Sequence, residues 1–398
     1  MTLFFHLATD LAQEVATRAE PLTWFYLASD SWKVLERARL LVDTTDGFLT
    51  SGIVTLDLPA EINRDNKSMP ADCFWLRVAA RRELRSFGSL YAVQTHAVRV
   101  TRRLPADTEA VEVSALARWR PLRSIPGVGK VTQVGRPFGG AAAEQRPQFI
   151  TRMSERLRHK NRVSTPWDYE RLILQQFPQL FKVKCFANMS STHGYPSPGH
   201  LLIVVIPALP PGERRGCPTA MMNVVELGRI RAFVQSIASP FVEIEVRNPL
   251  YEQVQVRCSV KFNHPTRGGH YINLLDRALS DYLCPWESVG HKARFGWSIR
   301  QKDVESYIRS LEYVDFVTNF SMLHITESTN EFYRLFDTAH VATGQETVLR
   351  PRYPWGLAIP AQRHFIETVE TNQPIKAEVT GLNELEVGGT FIIGGNGF

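Results

Sequence analysis

Apolar and polar residues alternate through Gly52-Ile-Val-Thr-Leu-Asp-Leu58, the pattern of a half-buried strand, and Pro59 ends the run. After a polar loop, Asn63 to Pro70, the runs Cys73 to Ala79 and Tyr91 to Val100 predict two further strands, and Ala110 to Leu116 a fourth. Ahead of them lies an aromatic-rich stretch, Trp24 to Leu35, and a turn at Asp43-Thr-Thr-Asp-Gly47. Apolar periodicity is then lost. Pro121, Pro126, Gly127, Gly129, Gly135, Pro137, Gly139, Gly140 and Pro147 fall in one stretch, which reads as a connector arm.

From Phe149 the periods of helix and strand both occur. Phe149 to Asn161 predicts a basic helix. A second begins at Ser164-Thr-Pro-Trp-Asp-Tyr-Glu170, where Thr165 suits an N-cap, Pro166 the first helical position, and Asp168 and Glu170 the positive end of the helix dipole. Pro178 stops it near Phe177. Strands at Leu180–Phe186, Leu201–Ile206 and Val242–Val246 flank a helix at about 219–237. After Asn248-Pro249 a similar unit follows. Tyr251 to Phe262 alternates as a long antiparallel strand with one wet face would, then come helices at 270–283 and 301–311 and a strand at 313–320.

These elements predict an α+β, multidomain chain: a β-rich N-terminal unit, two small α+β domains and a turn-rich C-terminal tail. The expected divisions are an N-terminal helical and aromatic segment at 1–44, a β-rich domain at 45–120, the arm at 121–148, α+β domains at 149–247 and 248–337, and the tail at 338–398. The 398 residues are 44% hydrophobic and 22% charged, enough for packed cores and against general disorder. No apolar run approaches the roughly 18 residues of a membrane span, and the N-terminus lacks the basic start of a signal peptide. Cys73, Cys185, Cys217, Cys258 and Cys284 are odd in number and form no CxxC pair, which reads as free thiols in a reducing compartment.

Charge is uneven. The net charge is +6, yet between Arg77 and Arg171 there are 19 Lys and Arg against 8 Asp and Glu, so the rest of the chain is net negative. No basic stripe or RNA-binding signature accompanies this excess, and docking onto acidic protein neighbours fits it better than nucleic acid does. Neither a histidine pair at metal-ligand spacing, a phosphate-binding GxxxxGK[ST] loop nor a GxSxG elbow occurs. Glu243 and Glu245 share one face of a strand, which reads as its wet side. Catalytic residues, metal ligands and cofactors are therefore expected to be none. The candidate interface residues are the arm and helix cations Arg123, Lys130, Arg136 and Arg146, and the aromatics Trp167, Tyr169, Trp286, Trp297 and Trp355 at element ends. These exposed anchors would make the isolated chain unstable as a monomer.

The run Arg162-Val-Ser-Thr-Pro-Trp-Asp-Tyr-Glu170, followed by Phe177-Pro178 and Val183-Lys-Cys185, resembles the baseplate J-like proteins, wedge components of contractile tails. The likeness continues at Val246-Arg-Asn-Pro-Leu-Tyr251, Leu283-Cys-Pro-Trp286, Phe295-Gly-Trp297 and Tyr353-Pro-Trp-Gly-Leu357, and spans roughly 45–370. Many members are longer, with large N-terminal portions, whereas this chain begins close to the β-rich part. The resemblance implies a non-enzymatic wedge subunit of a phage-tail-like injection system. It would pair with a second, related wedge subunit, form a multi-copy hetero-oligomeric ring around the spike hub, and connect to the sheath-initiating protein. Assembly in the bacterial cytoplasm, as part of a released particle, is implied likewise. A nucleic-acid-binding protein using 77–171, or a tail-associated hydrolase, is the competing expectation.

Overall fold

Leu3, Phe5 and Leu7 face inward while Thr2, Phe4 and His6 alternate outward, and that period of two makes a strand of the first residues. The computed structural model describes residues 1–8, 22–70, 72–81, 87, 89–101, 118–134, 143–160, 162–192, 196–209, 219–264, 268–287, 294–328, 332–340, 347–378 and 386–387. The fold is α+β and divides into two units: 1–190, 197–203 and 221–248 in the first, and 191–196, 204–220 and 249–398 in the second.

The first unit opens with strands β1 (Thr2–Leu7), β2 (Thr23–Ala28), β3 (Ser31–Val34), β4 (Leu40–Asp43), β5 (Gly52–Leu56), β6 (Leu76–Ala79) and β7 (Leu90–Thr95). They form two antiparallel sheets, β4-β5-β1-β7 and β3-β2-β6. Leu3, Phe5, Trp24, Tyr26, Val54 and Leu56 fill a common core, with Phe5 edge-on to Trp24. Segment 1–44 was expected to be helical. Among its described residues it is instead built of strands and one 3₁₀ turn at Arg37–Arg39, because its aromatics recur at period two. Gly52 lies so close to Thr44 that a Cβ there would stand 2.7 Å from the Thr44 carbonyl carbon, which explains glycine at the start of β5. The strand expected at 91–100 ends at Thr95, where His96 takes a left-handed φ of 59°. The strand expected at 110–116 lies outside the described residues.

The arm follows, with a short ladder of β8 (Arg118–Trp119) and β9 (Val131–Thr132). Helices α1 (Arg146–His159) and α2 (Pro166–Gln176), strands β10 (Leu180–Met189) and β11 (Pro196–Pro207), helix α3 (Val224–Ile237) and strand β12 (Glu243–Arg247) come next. Pro147, which reads in sequence as part of the arm, sits in the first turn of α1, where its missing N–H costs nothing. The strands form the sheet β10-β11-β12, with α2 packed on β10 and α3 on β12. Asn223 caps α3 through the Glu226 N–H at 2.8 Å, so this helix begins at Val224 rather than at about 219.

The second unit is built on β13 (Leu250–Phe262), α4 (Gly268–Leu283), β14 (Ile299–Arg300), α5 (Gln301–Arg309), β15 (Val314–Ser328), β16 (Phe332–Asp337), β17 (Val348–Leu349), β18 (Gly356–Pro360), β19 (Phe365–Thr368) and β20 (Glu386–Val387). Its sheet runs β18-β13-β15-β16-β20, with β19 also on β13. β13 is antiparallel to β15, with the alternating burial expected of it, and is also parallel to β18 and β19, so it is an interior strand of a mixed sheet. Val254, Val256, Cys258 and Val260 pack with Leu275, Leu279 and Leu283 of α4 and Val304 and Ile308 of α5. The tail beyond Thr338 turns often, as expected, and also supplies the fully buried strand Gly356–Pro360 to this sheet.

Candidate functional site

Local chemistry fixes the α1–α2 corner of the first unit. Thr165 Oγ1 accepts the Asp168 N–H, while Asp168 Oδ2 accepts the Thr165 N–H at 3.0 Å and the Ser164 N–H at 3.3 Å, a reciprocal cap on α2. Arg158 of α1 donates to Asp168 Oδ1 at 3.0 Å, tying one helix to the other. Burial alone would raise the Asp168 pKa. The hydrogen bonds from Thr165 and Ser164 and the Arg158 charge overcome it and hold the carboxyl below its ordinary value.

Trp167 and Tyr169, both in the first turn of α2, part company. Tyr169 is buried, whereas Trp167 is half exposed and lies under the Arg171 guanidinium, 4.3 Å from the ring centre. Arg123 and Lys130 are exposed on the arm, Arg146 is exposed as the first residue of α1, and Arg136 lies outside the described residues. In the second unit Trp286, Trp297 and Trp355 are all buried. Trp286 donates to the Pro207 carbonyl, Trp297 meets His324 edge-on, and Trp355 stacks on Tyr353. Their rings hold the unit together from within. They are therefore not the exposed element-end anchors that the sequence suggested.

Exposed apolar side chains occur on α1 and the arm. α1 has fourteen residues, none buried, with Phe149, Ile150 and Leu157 exposed. With Met153 these residues recur at helical spacing and make one apolar stripe, flanked by Arg152, Arg156 and Arg158. Residues 121–132 of the arm are exposed throughout, and the Leu122 side chain is wholly so. The basic composition of α1 masked its stripe in the sequence, although the spacing of 149, 153 and 157 was legible there.

Part of the cationic excess is used internally. Arg152 pairs with Glu144 at 2.7 Å, and Arg77 stacks over Phe25 and Trp32. Among the described residues no group of three or more His, Cys, Asp or Glu could hold a metal ion, and no helix is long and apolar enough to cross a membrane. Cys185 and Cys258 are buried free thiols whose pKa burial pushes up to about 12, which leaves them unreactive; Cys284 is buried as well, and Cys73 is exposed.

A family model described as "Baseplate protein PVC11-like" matches residues 9–342. Among solved structures, the chain is similar to one from the cryo-EM structure of the anti-feeding prophage (AFP) baseplate, 6-fold symmetrised. The two share 15% sequence identity at a TM-score of 0.43, over 90% of this chain and 75% of that one. No curated protein matches.

Proposed function

Because the chain belongs to the PVC11-like family of baseplate proteins, we propose that it is a structural, non-enzymatic wedge subunit of a contractile, phage-tail-like injection system. In this reading several copies pair with a second, related wedge subunit around a central spike hub and connect it to the sheath-initiating protein. The particle is assembled in the bacterial cytoplasm and released.

The observation that carries the reading is α1, a helix of fourteen residues with none buried. An isolated helix of this length is marginal in water, and ordering a residue costs about 1–2 kcal/mol in backbone entropy. The described residues of its own chain bury none of its side chains, so a neighbouring subunit is the natural source of that stability. Arg123 and Lys130 on the arm and Trp167 on α2 are exposed as well. Arginine and aromatic residues together are what subunit interfaces favour. The domain divisions expected from sequence, with the arm at 121–148 as a docking element, remain part of this proposal.

The test is co-expression with the products of the neighbouring tail genes, read by native mass spectrometry. The intact chain should enter a complex of more than one kind of subunit. Ile150→Asp with Leu157→Asp should abolish that complex and leave the melting temperature of the free chain unchanged. Normal assembly by this variant would reject the role given to α1.

A further inference from the structure

We propose that the second unit carries a receptor cleft for an acidic peptide segment of another chain, formed by Arg334, Arg350 and Arg352 around His324. The cleft has a volume of about 250 Å³ and is open to solvent. The three guanidiniums come from β16 and from the loop after β17, elements joined only by the fold. Among the described residues none of the three forms an ion pair.

The carboxylate behind His324 does not neutralise them. Glu252 is fully buried behind the wall, where its oxygens accept the Arg352 backbone N–H at 3.0 and 3.2 Å and face His324 Nε2 at 2.7 Å. It holds the imidazole and the Arg352 backbone in place and pairs with none of the three guanidiniums. Several guanidiniums lining one cleft favour an anion there, and planar guanidiniums bind carboxylates through paired hydrogen bonds.

The remainder of the lining selects among anions. Leu349 is buried at the floor, and Phe336 is partly exposed at the rim. A simple oxyanion uses neither surface. A peptide with two acidic residues beside an apolar one places carboxylates on the arginines and its apolar side chain on Phe336 and Leu349. The volume lies below the range for drug-sized ligands and suits one or two side chains inserted from a segment that stays mostly outside. The proposal concerns the second unit alone and stands apart from the role given to α1.

The test is calorimetric titration of the full chain with end-blocked decapeptides centred on Asp-Phe-Glu or Glu-Leu-Asp. Controls are the Asn-Phe-Gln and Gln-Leu-Asn analogues and inorganic phosphate. The acidic peptides should bind, more weakly as salt rises, and the amide analogues about ten-fold more weakly or worse. Arg334→Gln with Arg350→Gln should lose about ten-fold or more, and Arg350→Lys should fall between. Both positions are exposed, so an unchanged melting temperature is expected of these variants. Equal binding of the amide analogues, unchanged affinity in the double variant, or no binding of either acidic peptide at millimolar concentration would overturn the proposal. So would phosphate that binds as tightly as peptide and displaces it, which would mark a simple oxyanion site.

Discussion

Glu252 and His324 meet across the β13–β15 ladder with 2.7 Å between Oε2 and Nε2, and the Glu252 side chain is wholly shielded from solvent. A buried carboxylate persists only when its oxygens are occupied, and here the imidazole and the Arg352 backbone N–H occupy them. Glu252→Ala should therefore cost about 3–5 kcal/mol, since it strands both donors. Glu252→Gln, which keeps an acceptor, should cost less. Denaturant unfolding of the two variants checks the order; equal stability of Glu252→Ala and the native chain would contradict it.

Gly356 makes room for that carboxylate. A Cβ added there would collide with Glu252 Oε1 and stand 3.1 Å from Pro351 Cβ. Gly356→Ala should destabilise by about 1–3 kcal/mol. Gly228, exposed within α3 with nothing within 4 Å of its added Cβ, provides the opposite case. Gly228→Ala should stabilise by about 0.5–1 kcal/mol through helix propensity. Thermal melts of both variants, moving in opposite directions, are the expected result.

His364 sets an acid limit on the second unit. Its Nδ1 accepts the Val256 N–H at 3.0 Å, so the proton of the neutral ring sits on Nε2, which has no partner among the described residues. Burial pushes its pKa down to about 4 against the opposing pull of Asp276. The folded pKa lies below the unfolded value, so its contribution is complete above about pH 6.5 and is lost as pH falls toward 4. The loss is on the order of 3 kcal/mol. His364→Asn, which keeps an acceptor for Val256, should flatten that part of the pH–stability curve. An unchanged slope between pH 6.5 and 4 would refute this role for His364.

The α2 cap predicts a smaller effect. Thr165→Ala removes the acceptor for the Asp168 N–H, and Asp168→Asn removes the charge facing Arg158. Each should cost about 1 kcal/mol. Because the folded Asp168 pKa is lowered, its contribution is present above the ordinary carboxylate range and fades as pH falls through it. Urea unfolding at neutral and acid pH should show the Asp168→Asn deficit shrinking at the lower value.

Local signals in the sequence carried over wherever local chemistry decides. Thr165, Pro166 and Pro178 bounded α2 within a residue, and the alternation from Tyr251 to Phe262 located β13. What escaped depends on long-range partners. Nothing near Gly356 announces that its strand inserts beside β13, roughly a hundred residues earlier, and the parallel pairing follows from that insertion alone. For the same reason Trp286, Trp297 and Trp355 read as surface anchors although the fold closes over them. The cleft was invisible because Arg334 and Arg350 converge only once β15, β16 and β17 are in place.

The central claim is that this chain is a structural part of a baseplate, and in-frame deletion of its gene from producing cells tests it most directly. Negative-stain electron microscopy of the released material should then show no complete sheathed particles, with full restoration by a wild-type copy and none by the Ile150→Asp, Leu157→Asp form. Intact contractile particles from the deletion strain would contradict the account.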